Sequence, residues 1–425
     1  MELFQKLGTE IEGVWREQNY NEDIFPALAA DALRRADLPA KISAWDVVAW
    51  TLQQPELPPQ KDPSANFGDP PITLYVAPRF FIDVYFWLDG TTQVHQHSFC
   101  GAFQVLLGSS LHSGYNFERA ESINSFTETG EMSLKVCELL KVGDVKEIRA
   151  GRQYIHSLFH LDQPSATIVI RTEKSPMHLP QFSYHKPSLA LDPFFEHQTT
   201  TKKLQAIRAL YHVNRPDADR QVSELLENAD FQTSFAMLST VHGFLSQGEM
   251  GRLFNLEGPP ARFKGFLDIV ARRHGSKAAD LPAVFAHRDR ENEIVRRRGY
   301  VTDPEHRFFL AMLLNVDDRD TILRLTGERF PGTDPTSKIL DWIYDLAQTR
   351  VVGVNSPNAL GIDDFGDIDL SIVENLLRGR SDQETREAII SEYGAEKSAA
   401  ADLEGRLTKV HNSPIFKPLF RGQST

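Results

Sequence analysis

The chain has 425 residues, 41% hydrophobic and 24% charged, with a formal net charge of -12. That balance belongs to a globular protein long enough for two or three domains, and the negative charge argues against a general binder of nucleic acid or of anionic membranes. Two cysteines, Cys100 and Cys137, are too few for a disulfide framework, the start MELFQKLGTEIEGVW lacks a secretory signal pattern, and no run reaches the roughly 18 apolar residues of a transmembrane helix, so the expectation is a soluble cytoplasmic protein.

Residues 1–60 read as a helical segment. Leu3, Leu7, Ile11 and Trp15 recur at a spacing of four, a second helix follows the cap Asn21 over 24–38, and a short third covers 44–52. Residues 53–72, QQPELPPQKDPSANFGDPPI, carry many prolines and read as a linker or an arm along a surface. From Ile72 the period shortens. Runs such as TLYVAPRFFIDVYFWLDG, AFQVLLGSSLHSGYNFE, MSLKVCELLKVGDVKEI, QYIHSLFHL and SATIVIRT are rich in β-branched and aromatic residues and broken by Gly, Asp, Ser and Pro. Ile82, Val84, Phe86 and Leu88 alternate with their neighbours. Many short strands with frequent turns predict a β-sandwich or barrel over 61–195. From Thr200 the period is helical, and 196–425 reads as an all-α domain of amphipathic helices, several starting after Asp, Ser or Thr. The end, HNSPIFKPLFRGQST, is expected to pack Phe416 and Phe420 onto the body.

Chemistry concentrates in residues 90–108, GTTQVHQHSFCGAFQVLLG. On a strand His95 and His97 share a face, and two neutral imidazoles on one face are half a metal site. Seven of the chain's 14 histidines lie in the β region: His95, His97, His112, His156, His160, His178 and His185. His156 follows Gly143-Asp144-Val145 and the turn Arg149-Ala150-Gly151-Arg152, so it falls early in a new strand.

These residues resemble the cupin family. Its first motif runs Gly, five residues, His-x-His, three or four residues, Glu, six residues, Gly. Here Gly90 stands four residues before His95-Gln96-His97 and Gly108 closes the motif, while the glutamate position, counted back from Gly108, falls on Gly101. Its second motif runs Gly, five residues, Pro-x-Gly, two residues, His, three residues, Asn. Here Gly143 and Gly151 precede His156; Arg149 replaces the proline, two residues are inserted, and His160 replaces the Asn. Within cupins a three-histidine set resembles thiol dioxygenases of the cysteine dioxygenase type, where three histidines hold ferrous iron. That group lacks a long helical C-terminal region. Some members carry a cysteine crosslinked to a tyrosine near the metal. Gly101 stands at that place here and Cys100 is one residue off in parity, so no crosslink is expected.

The resemblance implies an α+β protein: a double-stranded β-helix (cupin jelly roll) with N-terminal helices and an all-α C-terminal domain. It implies Fe(2+), or another divalent metal, held by His95, His97 and His156 in the barrel mouth. Three imidazoles leave the ion its full charge, which favours an anionic or thiolate substrate bound directly to it. His160, Tyr154, Gln104 and Gln93 are candidates to orient the rings or meet the substrate. Arg79 and Arg171 are candidates for a substrate carboxylate or for a solvated face. His112 and the helical His242, His274, His287 and His306 read as structural, His185 as structural or near the barrel mouth, and Cys100 and Cys137 as buried small residues. The leading expectation is a non-haem iron oxygenase or dioxygenase acting on a small polar substrate. The alternative is a metal-binding cupin serving as a ligand-binding or regulatory module with the helical domain as output. A third is a scaffold whose barrel only mediates association. Neither nucleic acid nor membrane is an expected partner; two copies pairing into a homodimer through strand edges fits any of the three.

Overall fold

The computed structural model describes the chain except residues 62, 64–67, 89, 91, 248–258, 351–357, 363, 414 and 421–425. Part of the proline-rich 53–72 arm therefore lies outside the described residues.

Three helices come first: α1 (Glu2–Glu17), α2 (Phe25–Ala36) and α3 (Ala44–Gln53). The buried stripe of α1 is Phe4, Leu7, Ile11 and Trp15, so Phe4 takes the place expected of Leu3. Asp37 turns left-handed (φ 44°) and stops α2. Ser43 starts α3 through a reciprocal capping box with Asp46. Ten strands follow: β1 (Pro71–Val76), β2 (Phe80–Trp87), β3 (Gly101–Leu107), β4 (Ser110–Asn124), β5 (Thr127–Leu140), β6 (Val145–Ile148), β7 (Ile155–His160), β8 (Ser165–Thr172), β9 (Ser183–His185) and β10 (Leu189–Leu191). They form two five-stranded sheets, ordered β1-β2-β8-β3-β6 and β7-β4-β5-β10-β9. With the N-terminal helices and the helical region from Gln198 onward, this is an α+β double-stranded β-helix fold. Among the described residues no helix is long and apolar enough to cross a membrane.

The chain divides into two compact units. The first holds Met1–Asn116, Leu134–Leu179 and Asp289–Thr425; the second holds Phe117–Ser133 and Pro180–Arg288. The helical stretch 196–425 thus contributes to both. In the second unit, β10 pairs with Thr127–Thr129 of β5 and with β9, beside a helical core that includes Val222, Leu226, Leu238, Val241 and Phe285.

The first unit carries His95, His97 and His156. Every residue of β2 is buried, where alternation in the sequence suggests one wet face. The reason is cover on both sides. Ile82, Val84 and Phe86 pack under α1 and α2, together with Ala102, Leu106, Ile168 and Ile170. Tyr85 and Trp87 point the other way, into an interior shared with Phe103, Val105, Leu158 and Val169. α1 sits so close to β1 that a Cβ on Gly8 would lie 2.3 Å from the Tyr75 ring. On the far side, Phe159 of β7 and Leu111 of β4 face outward into a core with Phe308, Phe309, Ile339 and Trp342. Phe416 is fully buried there and Phe420 packs against it. β7 pairs antiparallel with the first half of β4, setting His156 opposite Gly114 and Leu158 opposite His112.

Candidate metal centre

His95 and His97 do not lie on a regular strand. Residues 92–100 are irregular, and β3 begins only at Gly101. An isolated bridge to β7 holds His95: His95 and His156 each donate a backbone N–H to the other's carbonyl at 2.9 Å. Gly151 adds an N–H to the His97 carbonyl at 2.7 Å. Without strict strand alternation the two rings stand at 90° to each other, centroids 4.6 Å apart. His156 sits early in β7, as its sequence position predicts, and points inward.

The three histidines converge. One ligand atom from each of His95, His97 and His156 lies within 4.8 Å of the others. Nε2 of His97 is 2.9 Å from Nε2 of His156. Two nitrogens bound at right angles to one ion, each at about 2.0–2.1 Å, would stand about 3 Å apart, so this pair matches adjacent ligands of a metal. Nδ1 of His95 faces the Gln93 carbonyl at 2.7 Å; that contact places the ring proton on Nδ1 and leaves Nε2 as the donor of a lone pair. His97 and His156 are buried and His95 half-buried. Burial lowers all three imidazoles from their ordinary value, and for His97 and His156 well below it. They are held neutral, the form in which histidine ligates.

The remaining candidates separate. Tyr154 joins the group: its ring centroid is 4.4 Å from that of His156, and its hydroxyl lies 3.0 Å from Nε2 of His112. Gln93 contributes its backbone carbonyl rather than its side chain. Gln104 does not reach the rings. It shares the outer face of β3 with Ala102 and Leu106, and its amide donates to the Gly143 carbonyl at 3.1 Å. His160 points inward four residues along β7 from His156, stacks on Trp87 at 4.7 Å, and shares Nδ1 with the Ser165 hydroxyl at 2.8 Å. It belongs to a different layer of the interior. Arg171 is buried rather than solvated, its guanidinium over the rings of Phe81 and Phe99 at 4.3 and 4.5 Å. Arg79 lies over Tyr20 at 4.4 Å. Cys100 and Cys137 are buried and unbonded to each other, and burial pushes the Cys100 thiol up to about 12. His178 faces Glu22 at 3.4 Å, and in the second unit the ring of His185 lies 5.5 Å from that of Phe235.

His112, which the sequence reading leaves outside the site, lies beside it: its ring centroid is 5.4 Å from that of His156, and its Nδ1 is 3.0 Å from Oε1 of Glu138. Strand parity is the signal that places it, because His112 stands opposite Leu158, on the same face as His156. That parity is useful only once the β4–β7 register is known. Gly101, at the glutamate position of the motif, is closed to any side chain: a Cβ there would lie 2.0 Å from the Ile170 carbonyl oxygen.

No sequence-family profile and no curated protein matches the chain. Among solved structures it is similar to an uncharacterized conserved protein with a double-stranded beta-helix domain from Klebsiella pneumoniae subsp. pneumoniae MGH 78578, at 13% identity over 30% of this chain and 87% of that one, with a TM-score of 0.18. It is also similar to a recombinant oxalate oxidase in complex with glycolate, at 13% identity over 45% of this chain and 82% of that one, with a TM-score of 0.21.

Proposed function

We propose that the chain is a metal-dependent cupin that holds ferrous iron through His95, His97 and His156 and oxidises a small polar substrate with dioxygen. The observation that supports this most is the 2.9 Å approach of two buried, neutral Nε2 atoms, with His95 completing the set. When bound, ferrous iron supplies the activation of dioxygen, and another divalent metal would fit the same ligands. The chain's own residues do the rest. The Gln93 carbonyl orients His95. Phe103, Leu158 and Val169 line the interior and exclude water. Tyr154 and His112 offer polar atoms beside His156. The likeness to thiol dioxygenases rests on the motif alone.

The test is anaerobic loading with Fe2+ followed by oxygen uptake with pools of small polar molecules. Uptake that needs iron and disappears in His156→Ala supports the oxygenase reading. Firm metal binding without uptake in any pool contradicts it. One observation favours the second reading, a binding or regulatory module. Oδ1 of Asn315, in the helix Pro304–Asn315, accepts from Tyr115 at 3.1 Å and from Ser157 at 3.2 Å, so the strand that carries His156 is tied to the helical body. On that reading hydrogen exchange in 304–315 slows when metal is added, and without such a change the module reading fails.

A further inference from the structure

Away from the barrel, two helices of the C-terminal stretch flank a polar cleft. The helices Asp367–Leu377 and Asp382–Tyr393 are joined by residues 378–381 and fold back on each other. Gly379, left-handed at φ 82°, makes the reversal. At the far end the Ser371 hydroxyl donates to Oε2 of Glu392 at 3.0 Å, and the Tyr393 hydroxyl lies 3.5 Å from the Asp367 carbonyl. The cleft has a volume of about 410 Å³, the size of a small-molecule site. Ser371 and Asn375 are buried in its lining, and the small Ala388 lines it from the second helix.

Two guanidinium groups and two carboxylates line this cleft, and they are sorted by end. Arg378 and Arg380 stand at the helix connection, and Glu392 stands at the opposite end, beside Ser371. Seven residues of helix separate Ser371 from Arg378, about 10 Å at about 1.5 Å per residue. Glu374 lies between and pairs with Arg378 at 3.0 Å. Arg380 donates instead to a neutral group, Oδ1 of Asn375, at 2.5 Å. Glu384, in the first turn of the second helix, is turned to the cap at Ser381. A ligand of one sign would meet a like charge at one end. We infer that the cleft binds a small zwitterion whose ammonium and carboxylate are held apart by a short chain, an ω-amino carboxylic acid. Its carboxylate meets the planar fork of Arg380, its ammonium donates to Glu392, and its methylenes cover Ala388. The two charges of an α-amino acid, carried on one carbon, are too close to reach both ends. This site is independent of the metal centre.

Calorimetric titration of the full chain, treated with chelator so that no metal competes for the carboxylate, tests the assignment with ε-aminocaproate as probe. The parent chain should bind it at least about tenfold more tightly than caproate, hexylamine or glycine, each of which lacks one charge or the span. Glu392→Gln keeps an acceptor for Ser371; it should weaken ε-aminocaproate about tenfold and leave caproate within about twofold. Ala388→Leu fills the cleft and should abolish binding with the helical circular dichroism unchanged; if that variant does not fold, Glu392→Gln decides alone. Caproate bound as tightly as ε-aminocaproate would show a plain anion site and overturn the proposal. So would affinity unchanged in Glu392→Gln or in folded Ala388→Leu, or no saturable binding of ε-aminocaproate by the parent chain.

Discussion

A Cβ on Gly101 would stand 2.0 Å from a carbonyl oxygen of β8, so no side chain fits at this position. Backbone cannot move aside as the tip of a side chain can, so the cupin glutamate has no room at this position. Gly101→Glu is expected to add no metal ligand and to destabilise the barrel by about 1–3 kcal/mol or more, as overpacking does. Thermal unfolding and metal content of the variant check this; a stable variant with tighter metal binding would contradict it. His160 makes the second residue-scale case. Burial and the nearby Arg298 charge hold it down to about 3, well below its unfolded value of about 6.5. Between those values the unfolded chain binds a proton that the native chain does not, so native stability falls as pH drops from about 6.5 toward 3. One such group contributes a slope of up to about 1.4 kcal/mol per pH unit. His160→Asn should flatten the slope between pH 6 and pH 4, on the order of one histidine's share, in denaturant titrations followed by tryptophan fluorescence. An unchanged slope would show that His160 charges freely in the native state.

Among the elements, the helix Pro304–Asn315 matters most to the site. Its sequence reads as one more amphipathic helix, but every residue from Arg307 to Asn315 is buried. A helix apolar on all sides belongs inside a core, and the run FFLAMLL, unbroken by any polar residue, has that character. The one charged group in the buried stretch, Arg307, is accommodated because its guanidinium donates to the carbonyls of Val301 and Arg298. The last residue of the helix, Asn315, reaches Tyr115 of β4 and Ser157 of β7. Asn315→Leu would remove the acceptor that the Tyr115 and Ser157 hydroxyls share, at a cost of about 1–3 kcal/mol, and loosen the strand that carries His156. Metal affinity should fall with stability; a variant that unfolds earlier but binds metal as before would separate the helix from the site. The strands are more legible in the sequence than this helix. β7 and β8 stand where QYIHSLFHL and SATIVIRT predict. The segment 92–100 is not legible, because scattered backbone hydrogen bonds to distant residues, Leu158, His156, Gly151, Ser175 and Thr172, fix it rather than local propensity.

For the molecule as a whole, the sequence reading recovers the order of parts: helices, a β region, helices. Its periods change from 3.6 to 2 and back, and periodicity is a local property. What no local property carries is partnership across distance. Residues Asp289–Thr425 group with the barrel, whereas Pro180–Arg288 group with Phe117–Ser133, a strand-turn-strand segment from within the β region. The same limit holds at the site. His95, His97 and His156 are legible because motif spacing names them. His112 and Glu138 are not, since they reach His156 only through the β4–β7 register and a side-chain hydrogen bond. Gln104 is eligible by composition alone, and strand parity turns it outward.

The central claim is that three imidazoles form one metal site, and calorimetric titration of the chelator-treated chain with Fe2+ under anaerobic conditions tests it most directly. One ion per chain is expected, and His97→Ala should lose at least about 100-fold in affinity while the helical circular dichroism stays unchanged. Binding that His97→Ala leaves intact, or no binding by the parent chain, would contradict it.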